Sequence, residues 1–338
     1  MAVEVELFDD LDAVARDAGT ALDRIAQPAL QDRIDWFRLT AAHCPLPGPL
    51  LIARAREGET SAWLFLVRGD RNARSLASWY TLAFAPIFSP GCTENGQLTM
   101  LTAIARALLR QLDHIALEPL LTTDRTNTAF RAAGWRTRRT GRSVNWTVAT
   151  ADGFDAYWAA RPGRLRSTTK RKARAGGFEV TIFDRFDADA WAEYEAIYRS
   201  SWKPEEGSPP FLRALAEQEG AAGTLRLGLL RKAGRPIAAQ LWLVENGVAT
   251  IHKLAHVRDA DGLSPGTVLS EAMFRRAIVE DGATTVDFGT GDDRYKADWM
   301  DSRHPLYRLD AYNPRRMRGY LGWARSCASA LVRRATDG

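Results

Sequence analysis

The hydrophobic and polar positions between Arg235 and Trp299 change period from stretch to stretch, and each change marks an element. Pro236–Glu245 (PIAAQLWLVE) is apolar and partly alternating, which predicts a strand. Asn246-Gly247 follows, and both residues tolerate the positive φ of a tight hairpin turn. Val248–Val257 (VATIHKLAHV) is the returning strand. A polar loop, Arg258–Leu263, leads into Ser264-Pro265-Gly266-Thr267, where Ser at the N-cap and Pro at the first helical position predict a helix start. Val268, Leu269, Ala272, Met273, Ile278 and Val279 recur at helical spacing until Gly282 stops the run. Thr284–Gly289 (TTVDFG) reads as a further strand and opens into Gly291-Asp292-Asp293-Arg294-Tyr295-Lys296-Ala297-Asp298-Trp299. The unit is strand, hairpin, strand, helix, strand, with a crossover expected to be right-handed.

The same reading applied upstream predicts a strand at Val3–Phe8, helices over Leu11–Ile25 and Leu30–His43, and strands at Leu50–Arg56 and Ala62–Val67. The apolar run Ser75–Phe88 predicts a long buried strand, Leu98–Leu112 an amphipathic helix, and His114–Leu117 a short strand. Asn127–Ala133 reads as a helix closed by Gly134, and Trp135–Val148 as a strand pair. Helices broken at Pro162-Gly163 cover residues 150–176; the second carries Arg164, Arg166, Lys170, Arg171, Lys172 and Arg174 with no acid before Glu179. Phe178–Phe183 and Leu225–Arg231 are strands, with helices at Ala188–Ser201 and Phe211–Glu219 joined by a Pro- and Glu-rich loop, Trp202–Pro210, expected to be mobile over a cleft. Leu306–Ala311 is the last strand. Pro314–Arg334 is a helix with a stripe of Met317, Tyr320, Leu321, Ala324, Ala328 and Leu331 opposite Arg318, Arg325 and Arg333. Strand and helix alternate in the same order in both halves, so the expected class is α/β with two lobes of one fold, mixed sheets flanked by helices. The expected divisions are residues 1–150, a degenerate first lobe; 151–312, a ligand-binding second lobe; and 313–338, a basic amphipathic helix that either packs on the sheet or lies on an anionic membrane surface.

Composition narrows the partners only a little. The 338 residues suffice for two domains, and 46% hydrophobic with 26% charged residues is ordinary for a globular protein. A net charge of +5 favours anionic partners without choosing among them. Eleven Trp suggest aromatic clefts as well as core. Cys44, Cys92 and Cys327 have spacings that form neither a disulfide framework nor a zinc site, as in a reducing compartment. Met1–Asp10 lacks the pattern of a secretory signal, and no apolar run reaches a bilayer-spanning length. A cytoplasmic protein is expected, soluble or peripheral on the inner membrane face. Nucleic acid is not expected as a partner, because the basic run lacks interleaved aromatics or a known module.

Ser264-Pro265-Gly266 opening a helix, then Asp287-Phe288-Gly289-Thr290-Gly291 and Tyr295-Lys296 about two dozen residues on, resembles the acetyltransferase-type (GNAT) superfamily. Within it the chain is most similar to the subgroup of cellulose-biosynthesis acetyltransferases, more distantly to Fem-type peptidoglycan aminoacyltransferases, and in its subgroup to bacterial ceramide synthases. The clear similarity covers about residues 154–312. The Gln/Arg-x-x-Gly-x-Gly/Ala pyrophosphate signature of simple acetyltransferases is absent, so the Ser264–Thr267 turn would take over its work. The resemblance implies transfer of an acyl group from acyl-CoA, as co-substrate and with no bound cofactor or metal, to an amine of a lipid, sugar or amino acid held between the lobes. A long-chain acyl group moving to a sphingoid amine is one form of this. An acetyltransferase of a polysaccharide or sugar amine, a Fem-like transferase using aminoacyl-tRNA, and a non-catalytic scaffold remain the other expectations.

Acyl transfer needs a cradle for the pyrophosphate, a donor for the carbonyl oxygen and a route for protons. A helix N-terminus with Gly beside it offers free N–H groups to phosphate, which singles out Ser264, Gly266 and Thr267; an ordinary N-cap is the alternative. Along the strand Val248–Val257, strict alternation puts His252 and His256 on one face about 13 Å apart, too far to share a metal. His252, at mid-strand, is the candidate base for the amine and His256 the one nearer the phosphate end; a hydrogen-bonded core histidine is the alternative for each. The resemblance further implies that Tyr295 protonates the departing thiolate, that Lys296 stabilises the oxyanion, and that Asp287, with Asp292 and Asp293, orients Lys296 or the acceptor. A salt-bridged corner is the plain alternative for Tyr295-Lys296. No Ser/His/Asp or Cys/His nucleophile set is discernible, so direct attack by the amine is expected.

Overall fold

The computed structural model describes residues 3–336, with side chains to residue 329. The chain forms two compact units, one of residues 1–143 with 305–338 and one of residues 144–304. The boundaries therefore fall at 143/144 and 304/305 rather than at 150/151 and 312/313, and the last strand and helix belong with the N-terminal residues.

The first unit contains β1 (Glu4–Phe8), α1 (Leu11–Ala18), α2 (Ile34–His43), β2 (Leu50–Glu57), β3 (Thr60–Arg68), β4 (Asn72–Ser75), the two-residue β5 (Ile87–Phe88), α3 (Glu94–Leu109), β6 (His114–Leu120) and α4 (Asp124–Ala132). The long strand β7 (Arg136–Ala149) carries the chain onward. The second unit contains α5 (Gly153–Ala159), α6 (Gly163–Gly176), β8 (Phe178–Phe183), α7 (Ala188–Arg199), α8 (Pro209–Ala221), β9 (Leu225–Lys232), β10 (Arg235–Glu245), β11 (Val248–His256), α9 (Pro265–Arg275) and β12 (Thr285–Thr290). β13 (Ser302–Tyr312) and α10 (Met317–Thr336) complete the chain.

The duplication expected from the sequence is visible in strand order. Within the first unit the strand order is β1-β2-β3-β4-β6-β13, and within the second it is β8-β9-β10-β11-β12-β7. Every pairing along each is antiparallel except one, β4 with β6 and β11 with β12, and each parallel contact spans only three residue pairs. The last strands change places. Asn145–Ala149 of β7 pair with β12, and Tyr307–Tyr312 of β13 pair with β6. No local pattern in a sequence encodes such an exchange, which accounts for the displaced boundaries.

Several elements depart from the periodicity. The run at 75–88 is not one strand: after Ser75 the chain leaves the sheet and turns at Ser78, whose backbone N–H donates to Thr81 Oγ1 at 3.0 Å while its Oγ accepts from Tyr80 N–H at 3.3 Å. Local side-chain bonds have replaced the ladder. The segment expected as a strand pair at 135–148 is the single strand β7, because Gly141 at its middle stays in the strand and does not take the positive φ of a hairpin turn. The first helix stops at Ala18 with Gly19 at positive φ, well short of Ile25. The hairpin turn Asn246-Gly247 does adopt φ of 51° and 75°.

The apolar stripe of α10 faces away from its unit. Gly319 seats the helix so closely that a Cβ there would lie 2.3 Å from the Asn313 carbonyl oxygen and 2.7 Å from that of Asp113. Arg138 donates to Ser326 Oγ at 2.6 Å and the Arg136 guanidinium lies over the Trp323 ring, so this face is the packed one. Leu331 and Arg333, part of the expected pattern, lie outside the described side chains. Gly319→Ala should lower stability by about 2 kcal/mol through overpacking, read as a shift of the urea midpoint at unchanged slope.

Candidate active site

The site of the second unit begins where two strands part. β11 and β12 pair in parallel from Val248 with Thr285 to Thr250 with Asp287, and beyond that pair the ladder ends. At the parting, Asp287 Oδ1 accepts from Gly289 N–H at 2.7 Å and Oδ2 from the Asn145 side-chain amide at 3.0 Å. Burial raises the Asp287 pKa above the usual carboxylate value, against these two hydrogen bonds. Gly289 and Gly291 take φ of 67° and 121°, so the end of β12 turns sharply.

Lys296 holds that turn. Its ammonium, on a side chain 5% exposed, donates to the carbonyl oxygens of Phe288, Gly289 and Thr290 at 3.3, 3.4 and 2.8 Å. An ammonium has three N–H donors, and these carbonyls match them. Burial brings its pKa down to about 8; Asp293 opposes the fall and Lys203 adds to it. Tyr295, 39% exposed, packs edge-on against Phe288 at 5.7 Å between ring centroids. Burial, with Asp293 adding, raises its pKa and keeps the phenol protonated. Asp292 pairs with Arg303. The segment is anchored from behind by stacked rings, with Phe274 of α9 5.1 Å from Trp299 and 4.9 Å from Tyr157.

The start of α9 departs from an ordinary cap. Ser264 occupies the N-cap as expected, but it is left-handed at φ 54° and ψ 46° and its side chain makes no capping bond. Its carbonyl instead accepts from Thr267 and Val268 N–H at 3.1 and 3.3 Å. Pro265 has no N–H, and the Gly266 amide stands in the first turn, where helical N–H groups lack intrahelical acceptors. Gly266 also makes room for His256: a Cβ there would stand 3.3 Å from Nδ1 of the imidazole. His256 Nε2 lies 2.8 Å from Asp261 Oδ1, and the Trp202 ring covers the imidazole at 4.2 Å. The corresponding helix of the first unit differs in kind. Thr93 caps α3 through its side chain, accepting from Gly96 N–H at 3.2 Å, whereas the equivalent Thr267 N–H of α9 turns back to the Ser264 backbone carbonyl.

Strict alternation fails along β11. Lys253 pairs with Leu241 but Ile251 with Trp242, so His252 is the extra residue of a bulge. His252 and His256 therefore do not follow one alternating face. His256 shares the side of Ala238 and Gln240 toward α9, whereas Lys253 reaches the opposite side, where Nζ meets Glu206 Oε1 at 2.9 Å. Burial pushes the His252 pKa down to about 4, with Lys253 adding to the fall, so the imidazole is neutral at physiological pH. Glu206 also lines a cavity of about 210 Å³ with Trp191, Tyr198, Pro209 and Leu212. Lys203, on the same loop, has its pKa lowered by burial.

Two contributors were not singled out in the sequence. Gln240 is 1% exposed; it donates to Ser270 Oγ at 2.7 Å and accepts from Trp242 Nε1 at 2.8 Å, fixing α9 to β10. A lone Gln inside PIAAQLWLVE was the available signal. Asn145 offered none, since only the sheet brings it to Asp287. From the basic run, Arg164 pairs with Asp298 at 2.7 Å and Lys172 donates to the Gly262 carbonyl, so α6 holds both loops of the site. Ser264, Gly266, Thr267 and His256 thus form one cluster at α9, and Asp287, Tyr295 and Lys296 another at the end of β12.

Residues 159–297 match the acetyltransferase (GNAT) domain family. No curated protein sequence matches the chain. Among solved structures, the chain is similar to FemX at 11% identity and a TM-score of 0.60, over 90% of this chain and 96% of that one. A conserved protein of unknown function from Bacteroides thetaiotaomicron VPI-5482 aligns at 12% identity and a TM-score of 0.58, over 91% and 100%. L-PGS from Bacillus licheniformis aligns at 14% identity and 0.52, over 81% and 86%. At such identities the likeness is one of fold. Residues 159–297 are thus an acetyltransferase-type (GNAT) domain, within a chain whose fold is α/β in two units.

Lys296 supplies a pH test. Its folded pKa lies below the unfolded value, so between about pH 8 and 10 the unfolded chain binds more protons and the contribution of Lys296 to stability rises with pH. The stability difference between wild type and Lys296→Met should shift in favour of wild type from pH 7.5 to 9.5, measured by urea unfolding at each pH.

Proposed function

We propose that the protein is an acyl-CoA-dependent N-acyltransferase in which an amine attacks the thioester directly. The observation that carries this reading is the parting of β11 and β12 after Thr250 and Asp287, flanked by the uncapped start of α9. A wedge with unpaired strand edges suits the pantetheine arm, whose amides need backbone partners. The Gly266 turn with Ser264 and Thr267 offers the positive end of a helix to the pyrophosphate, and His256 lies against that turn.

In this reading His252 is the general base. It is neutral at pH 7 and sits in the bulge beside the parting. The amine loses its proton to His252 as its nitrogen bonds to the thioester carbon; the C–S bond then breaks and the thiolate takes a proton from Tyr295. Lys296 acts through its grip on the β12 carbonyls, with Asp287 bracing the same turn, and its charge adds to the field felt by the developing oxyanion. The acceptor amine belongs to a lipid, sugar or amino acid, and a lipid amine would meet the enzyme at a membrane surface. A second reading, an aminoacyl-tRNA donor, is favoured by one feature: Arg164, Arg166, Lys170, Arg171 and Arg174 of α6 are all exposed.

The deciding experiment is a thermal shift of purified protein with CoA, acetyl-CoA and palmitoyl-CoA, followed by thiol release with candidate amines. A ligand that binds the native state alone raises the midpoint. All three should do so, palmitoyl-CoA most if the acyl group is long. His252→Ala should keep the CoA shift while losing about 10²-fold or more in turnover. No shift with any thioester, together with a shift from aminoacyl-tRNA, would replace the acyl-CoA reading by the second.

A further inference from the structure

We propose that α10 docks this protein on an anionic membrane surface, lying flat with its apolar stripe in the headgroup layer. This goes beyond the acyl-transfer reading and does not depend on it. The helix is amphipathic, and its polar and small-residue face is the packed one. Gly319, Trp323 and Ser326 meet the first unit, as the close approach at Gly319 and the contacts from Arg136 and Arg138 require. The opposite face leaves Met317 75%, Tyr320 50% and Leu321 45% exposed, with Ala328 exposed two turns further on. Soluble helices bury such a stripe. Here the geometry makes burial within the unit impossible, since turning the stripe inward would drive side chains into the space that Gly319 alone fits.

Charge points to the occupant. Arg315, Arg318 and Arg325 are exposed around the stripe. The one acid meeting them among the described residues is Asp70, in an open pair with Arg318 at 3.5 Å, both side chains more than three-quarters exposed. Such a pair contributes little and yields readily to phosphate. Apolar residues flanked by arginines, with a tyrosine between water and hydrocarbon, match the interface of an anionic bilayer. Among the described residues no helix is long and apolar enough to cross a membrane, so the helix lies on the surface rather than spanning it.

The test is co-sedimentation of the full chain with vesicles of phosphatidylcholine alone and of phosphatidylcholine with about one third phosphatidylglycerol. Binding should appear on the anionic vesicles and weaken with salt. Met317→Ser with Leu321→Ser should reduce the bound fraction by roughly tenfold, and Arg318→Glu with Arg325→Glu by a similar factor. Both pairs are solvent-facing, and unchanged thermal midpoints would confirm intact folds. Equal binding to the two vesicle types, or none, overturns the proposal. So does concentration-dependent dimerisation that the Ser variant abolishes, because a second copy would then be the occupant.

Discussion

The structure of the second unit depends on the parting of two parallel strands after a single short ladder. A parallel pair left open exposes backbone groups and would zip further unless something blocked it. Two devices hold it open. Asp287 ties its own carboxylate to Gly289 N–H and Asn145, which turns β12 aside, and Lys296 binds the carbonyl oxygens that β12 would otherwise offer to a neighbour. On the other strand, the bulge at His252 breaks the register just past the last pair. Each device places a polar group in a buried setting, and the shifted pKa values of Asp287, Lys296 and His252 are the electrostatic trace of that burial.

The first unit shows the same topology put to different use. β4 and β6 also pair in parallel over three residues, but there the Ser75 hydroxyl accepts from Glu118 N–H at 2.9 Å and bridges the opening. Beyond it, Arg308 pairs with Glu118 and Asp310 across that side of the opening. Its crossover helix is capped by Thr93. The asymmetry between the units is therefore chemical rather than topological: the same strand order carries an ion-paired corner at the parting in one unit and a lysine-braced glycine turn in the other.

The basic helix α6 joins the electrostatics to the fold. Arg161 is 4% exposed, and its Nη2 donates to both carboxylate oxygens of Asp301 while the guanidinium lies over Tyr157, so the loop after Lys296 is fixed before any ligand arrives. Arg164 and Lys172 grip the two site loops, and the remaining cations face solvent. One charge run thus does two kinds of work, and position along the helix decides which. Such preorganisation is what electrostatic catalysis requires, because dipoles already in place need no rearrangement as charge develops.

Much of this was legible in the sequence. Alternation and helical spacing gave β10, β11, β12 and the start of α9 within a residue or two, and Asn246-Gly247 fixed the hairpin, because these signals are local and act through φ and burial. The duplicated order was readable for the same reason. What alternation could not give was the bulge at His252, since a one-residue insertion in a ladder is decided by the partner strand and not by the strand itself. Nor could it give the exchange of β7 and β13, the meeting of Asn145 with Asp287, or the outward stripe of α10. Each of these rests on contacts between residues more than a hundred positions apart or on a close approach such as that of Gly319, and only tertiary packing decides them.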